Sequence, residues 1–313
     1  MTKNRRRKII MLPIRKILFP TDFSNASAVA LGHAVMLADS FGAELTLFHV
    51  AADEKHSRQA QFPELEKAGD ELQELAEAQL ADIVGTERPR RLLVNRVVRQ
   101  SHMPAQEIAN YARAGDFDLM VMGTHGRTGV AHLLMGGMAE NLVRLAPCPV
   151  LTVRERTPKA EVTPYLKILA PVDFSPFSEK ALKYGIALAM NFEASLVVLH
   201  VMDQPVQPTH YQLGDNLLMM LQPDLESRTH QALQQMMQRL APKEMDYSTA
   251  YVFGRAYAEI VNYAARHDVD LMVIGTHGLS GLQQFLLGST AAKIVRHAPC
   301  PVLTVKAKEK DFI

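Results

Sequence analysis

The sequence of 313 residues predicts an α/β protein built as two tandem copies of one unit, each a five-stranded parallel sheet with crossover helices. Three observations carry this. The first is self-similarity: Lys16–Ser24 (KILFPTDFS) returns as Lys167–Ser175 (KILAPVDFS), 151 residues on. Asp118–Gly126 (DLMVMGTHG) returns as Asp270–Gly278 (DLMVIGTHG) and Ala146–Val153 (APCPVLTV) returns unchanged as Ala298–Val305, both 152 residues on. Offsets that agree to within one residue across the whole length describe two copies of a domain, not a short-period solenoid. The second is that short β-branched runs alternate with longer helical patterns, the signature of a parallel sheet with crossovers. The third is that the β-branched runs are nearly continuously apolar, as strands buried on both faces require.

Taken in order, residues 1–13 form a basic tail, with Lys3, Arg5, Arg6, Arg7 and Lys8 followed by an apolar run broken by Pro13, Arg15 and Lys16. No small-residue cleavage site follows, so the segment reads as a solvated tail and not a signal peptide; contact with RNA or lipid headgroups is the second reading. The first copy spans 14–154. Ser24 is placed to cap its first helix and Gly42 to end it in the left-handed conformation. Between Pro63 and Ile83, Leu65, Ala68, Leu72, Leu75, Ala76 and Ile83 fall on one helical stripe, which is core. A polar linker, 155–163, with Pro158 inside it and Pro164 just beyond, leads to the second copy, 164–308. Its strands are expected at Lys167–Val172, Ser195–His200, Tyr247–Val252, Asp270–Gly275 and Val302–Val305. A helix runs from Pro176 to Met190 behind the cap Ser175, closed by Asn191, and another runs from about Ala291 to His297.

Composition excludes several classes. With 48% hydrophobic and 21% charged residues the chain has enough apolar side chains for a core in each half. Lys+Arg 34 against Asp+Glu 33 leaves a net charge of +1, so no global attraction to nucleic acid or anionic membrane is expected. Apolar stretches such as Leu45–Ala52 fall far short of the ~18 residues of a membrane helix. The two cysteines, Cys148 and Cys300, lie between prolines without a CxxC partner and read as buried, inert thiols in a reducing cytoplasm. Met219, Met220, Met236 and Met237 are either an adaptable contact surface or helical core, the second being favoured.

Open parallel sheets bind ligands beyond the carboxyl ends of their strands, and the informative residues stand there. After its fourth strand the second copy reads Gly275, Thr276, His277, Gly278, then nine residues, then Gly288, Ser289, Thr290 at the start of a helix. Glycines permit close backbone approach, and a helix N-terminus flanked by hydroxyls suits a phosphate. The alternative is that Gly275 and Gly278 only turn the chain and Ser289 caps the helix. Asp173, behind Pro171, either meets a ribose hydroxyl or an adenine amino group or makes a local turn bond. His125 and His277, alike in position, either meet a phosphate or satisfy a loop carbonyl, and the structural role is favoured. His49 and His200, at the ends of the second strands, read as packing residues.

The combination of Pro-x-Asp-Phe-Ser after strand one, Leu-His-Val ending strand two, Gly-x2-Gly-x9-Gly-Ser after strand four and a final Cys-Pro-Val-Leu-Thr-Val strand resembles the universal stress protein family in both halves. The resemblance implies a Rossmann-like parallel α/β sandwich of the adenine nucleotide alpha hydrolase kind, and ATP binding where the glycine motif is intact. Carried over by position, Pro171, Asp173 and Val201 would hold the adenine and ribose end, and Gly275, Thr276, His277, Gly278, Gly288, Ser289 and Thr290 the ribose and phosphates. Magnesium would accompany the ATP phosphates and need no protein cage.

The first copy departs from the pattern. Asp22, Val50, Gly123, Gly126 and Gly136 match, but Gly137 and Met138 stand where the second copy has Ser289 and Thr290. A lost hydrogen bond to a charged oxygen costs about 1.5–3 kcal/mol, roughly ten- to a hundredfold in affinity, so this site is expected to be the weaker one. The expected role is a nucleotide-dependent stress or signalling factor that binds and does not catalyse. A slow ATPase or nucleotidyl transferase lacks a Walker sequence here, and a nucleotide-independent scaffold fits the intact motif less well. The resemblance further implies that the last strands pair the two copies as an internal pseudo-dimer, that chains pair again as a homodimer, and that a protein partner lies downstream.

Overall fold

The computed structural model describes residues 14–51, 74, 92–124, 137–155, 162–202, 224–277 and 287–307. Among these, the first copy contributes β1 (Lys16–Pro20), α1 (Asn25–Phe41), β2 (Glu44–Ala51), β3 (Val94–Gln100), α2 (Pro104–Ala114), β4 (Leu119–Gly123), α3 (Gly137–Leu145) and β5 (Val150–Val153). The second contributes β6 (Lys167–Val172), α4 (Pro176–Phe192), β7 (Ser195–Met202), α5 (Leu225–Leu240), β8 (Tyr247–Phe253), α6 (Ala256–Arg266), β9 (Leu271–Gly275), α7 (Ser289–His297) and β10 (Val302–Val305). The helical stripe expected within 63–83, the loop histidine His125 and the pair Met219 and Met220 lie outside the described residues. No described helix is long and apolar enough to cross a membrane.

Each copy forms a five-stranded sheet whose neighbours pair in parallel, in the orders β3-β2-β1-β4-β5 and β8-β7-β6-β9-β10. The two sheets are continuous. β5 and β10 pair antiparallel, with Leu151 opposite Leu303, and produce one ten-stranded sheet. Side chains reinforce this seam symmetrically: Thr152 Oγ1 donates to the Val302 carbonyl and Thr304 Oγ1 to the Val150 carbonyl, each at 3.1 Å. The cation after each last strand also reaches the other copy. Arg154 donates to the Ala298 carbonyl at 3.2 Å, at the C-terminal end of α7, and Lys306 donates to the Arg144 carbonyl at 3.1 Å in α3.

Local sequence explains the helix ends. Ser24 and Ser175 are extended at their N-caps and accept hydrogen bonds from the Ser27 and Ser178 amides at 3.3 and 3.2 Å. Gly42 closes α1 at φ 64°. In the second copy the helix outruns the expected end: Asn191 is helical, and Glu193, the position matching Gly42, takes the left-handed turn at φ 54°. Tertiary packing decides this, because Phe192 must reach Phe41 and Tyr165, with ring centroids 5.9 and 5.4 Å away. β7 and β8 run to Met202 and Phe253 because their ladder continues through Val201 opposite Val252 and Met202 opposite Phe253. Asp270 stands outside β9 because its carboxylate caps the head of β6, accepting the Leu166 and Lys167 amides at 2.9 and 2.8 Å. Asp118 does the same for Arg15 and Lys16 at 2.9 and 3.1 Å. Helix α7 begins at Ser289, two residues before the expected start.

Two cores sandwich the sheet, and each runs through both copies. α1, α4 and α5 cover one face with Leu31, Leu37, Ile186, Leu188, Leu233 and Met237, joined across the seam by Leu151 and Leu303. α2, α3, α6 and α7 cover the other with Ile108, Leu142, Ile260 and Ile294. Met236 and Met237 are buried, so this pair is core. Cys148 and Cys300 are buried and not joined to each other, and burial pushes the Cys300 thiol up to about 12, which keeps it protonated and unreactive.

Candidate functional site

Strand order fixes where a ligand can sit. In the second copy the chain moves from β6 outward to β7 and β8, then returns to β9 and β10 on the other side of β6, so a switch point lies between β6 and β9. At this end of the sheet stand Pro171, Asp173, Val201 and Gly275, all half-buried. The start of α7 lies beside the end of β9, where the Gly288 amide meets the Thr276 carbonyl.

The N-terminus of α7 has the features a phosphate needs. Ser289 and Thr290 are exposed in its first turn, Gly288 is the N-cap, no side chain caps the helix, and no acidic residue stands in that turn. Ser289 is therefore not a cap, and two exposed hydroxyl residues stand in the same turn as the first amides and the positive end of the helix dipole. Gly288 is held by its own amide, which donates to the Thr276 carbonyl at 2.8 Å. A Cβ at Gly288 would lie 3.0 Å from that carbonyl oxygen.

Other residues are spent on the protein itself. Gly275 leaves room not for open space but for α4: a Cβ there would lie 3.0 Å from the Phe177 carbonyl oxygen. Gly123 does the same for α1, with 2.8 Å to the Ala26 carbonyl carbon. Thr276 is buried, and its hydroxyl shares a 2.9 Å hydrogen bond with His277 Nδ1, while the His277 ring packs against Phe177 at 5.5 Å. Asp173 Oδ1 accepts the Ser175 amide at 3.0 Å, so the turn bond forms. In the first copy Asp22 Oδ1 accepts the Ser24 amide at 3.1 Å and the Ser27 hydroxyl at 2.7 Å. Gly278, Gly126 and Gly136 lie outside the described residues.

The residues between these groups were not singled out in the sequence. Phe23 and Phe174 follow the aspartates in the left-handed region, at φ 61° and 62°, which a bulky residue adopts only under constraint. Each ring rests on a histidine near the end of the next strand, His49 in β2 or His200 in β7, at 4.6 and 4.7 Å between centroids. Those histidines lie with Nδ1 2.8 Å from the Thr21 and Val172 carbonyls, to which they donate because a carbonyl only accepts. Repetition of Phe after Asp in both copies was the available signal. Arg255, exposed at the N-cap of α6, was not singled out either.

Compared with known proteins, the sequence matches the model of the universal stress protein family twice, over residues 13–154 and 164–306. A universal stress protein of Methanocaldococcus jannaschii is 32% identical over 147 residues, covering 47% of this chain and 85% of its own length. One of Mycobacterium bovis is 26% identical over 205 residues, covering 64% of each chain. Among solved structures, a universal stress protein from Archaeoglobus fulgidus has a TM-score of 0.64 at 17% identity, covering 93% of this chain and 98% of its own, which supports the fold alone.

Proposed function

Because the chain belongs to the universal stress protein family, with both halves matched, we propose that it binds ATP in its second copy and acts as a nucleotide-dependent stress-response or signalling factor. The observation that carries this is the start of α7, where two exposed hydroxyl residues stand in a first turn that, among the described residues, has no side-chain cap and no acid. Phosphates would take these donors, and Asp173 and Val201 would meet the ribose and base. Among the described residues no three His, Cys, Asp or Glu side chains converge as a metal cage; a magnesium ion would enter on the phosphates and screen their charge.

The route from occupancy to signal runs through α7. Its N-terminus would hold the phosphates, while the carbonyl closing its other end accepts from Arg154 of the first copy and Arg296 in its last turn pairs with Glu140 of α3 at 2.9 Å. Ligand bound at 100 times its dissociation constant stabilises the bound form by about 2.7 kcal/mol, enough to bias how the copies sit against each other. Native mass spectrometry with ATP and magnesium tests the reading. One ATP per chain is expected, with affinity reduced roughly tenfold or more in Ser289→Ala; no nucleotide on the wild-type chain would refute it.

A further inference from the structure

The two clefts match at one end and differ at the other, and the difference is chemical. At the base end, Asp22 and Asp173 accept the amide two residues on at 3.1 and 3.0 Å, and the Phe23–His49 and Phe174–His200 pairs repeat to within 0.1 Å. At the other end α3 and α7 are both nine residues long and α2 and α6 both eleven, so their first residues correspond. Gly137 stands for Ser289, Met138 for Thr290, and Met103 for Arg255. Two hydroxyls and a cation have become a hydrogen and two thioethers. Both methionines are exposed, Met103 by 66% and Met138 by 41%, at the N-terminal ends of two helices that pack together. The first turn of α3 also carries Glu140, whereas that of α7 carries no acid. That carboxylate is taken up across the seam by Arg296 of α7 at 2.9 Å, so the contrast between the clefts lies in their hydroxyls and cation.

We propose that the first copy is a binding site for an adenine nucleoside without phosphates, its 5′ end against Met103 and Met138. The assignment rests on the nucleotide reading of the second copy for its base end; the selectivity rests on this chain's own substitutions. A polyanion at this cleft loses its hydroxyl and cation donors. A neutral 5′ hydroxymethyl or methyl group instead finds soft apolar surface, which thioethers accommodate well.

Methyl NMR of the full chain labelled at the methionine methyls separates the outcomes, with Met103→Leu and Met138→Leu assigning the two signals. Adenosine and 5′-deoxyadenosine are expected to shift both signals, and ATP with magnesium to need at least tenfold higher concentration for the same shift. In Gly137→Ser/Met138→Thr, ATP should move the Met103 signal at least tenfold more readily than in wild type. Residue 137 accepts the new side chain, since a Cβ there meets no atom within 4 Å. Signals unmoved by adenosine, or moved equally by ATP and adenosine, would overturn the proposal. ATP bound per chain, read separately by native mass spectrometry, reports on the second copy: one ATP with an adenosine-silent first copy refutes only the present inference. No ATP with an adenosine-responsive first copy refutes only the reading of the second.

Discussion

His33 and Tyr165 form a buried hydrogen bond between the copies, Nδ1 to hydroxyl at 3.1 Å, with the rings stacked at 5.9 Å. Burial lowers the His33 pKa from 6.5 to about 4 and raises that of Tyr165, so both are neutral in the folded protein. His33 Nε2 is buried without a partner among the described residues, so a second proton would gain nothing there. The unfolded chain binds that proton near pH 6.5 and the folded chain only near 4, so stability falls as pH drops through this window and this residue adds no further loss below it. At 1.36 kcal/mol per pH unit the full loss is roughly 3 kcal/mol. Urea midpoints between pH 7 and 4 should therefore decline less steeply in His33→Gln than in wild type; parallel declines would show that His33 protonates without penalty.

At the scale of elements, the glycines of one motif do different work. Gly123 and Gly275 let the ends of β4 and β9 approach the first turns of α1 and α4, whereas Gly137 begins α3 in open space. Gly123→Ala should cost about 1–3 kcal/mol, since its Cβ would press on backbone that cannot move aside. Gly137→Ala should cost nothing, because alanine is the better helix former. Equal effects in urea titrations would contradict this assignment. The motif spacing was legible in the sequence, as were the serine caps Ser24 and Ser175. What each glycine faces was not, because its neighbour across the gap lies about a hundred residues away in the chain. Asn191 failed as a terminator for the same reason: an aromatic contact from Phe192 outweighs the local preference for a left-handed asparagine.

For the whole molecule, both cores cross from one copy to the other, and the seam strand β10 lies between β5 and β9. The copies should unfold together. Calorimetry is expected to show one transition for the wild type, and a carboxylate at the seam, Leu303→Asp, should lower that single transition by many degrees, since Leu303 is 4% exposed and a charge there loses its water. Two separated transitions would mean that the copies are independent domains sharing only a linker.

The duplication, the parallel α/β class, the strand positions of the second copy and the starts of α1 and α4 behind Ser24 and Ser175 were determined by the sequence, because each follows from local periodicity, capping chemistry or direct repetition. Asp118 and Asp270 were visible as repeated residues, yet their task of capping the heads of β1 and β6 was not. Only the tertiary structure decided that β5 and β10 pair with Leu151 opposite Leu303, that Arg154 and Lys306 each hold the other copy's helix, and that Met103 and Met138 stand exposed at the ends of two helices that pack together. These depend on which distant segments meet, and a linear pattern records what a residue is without recording what it faces.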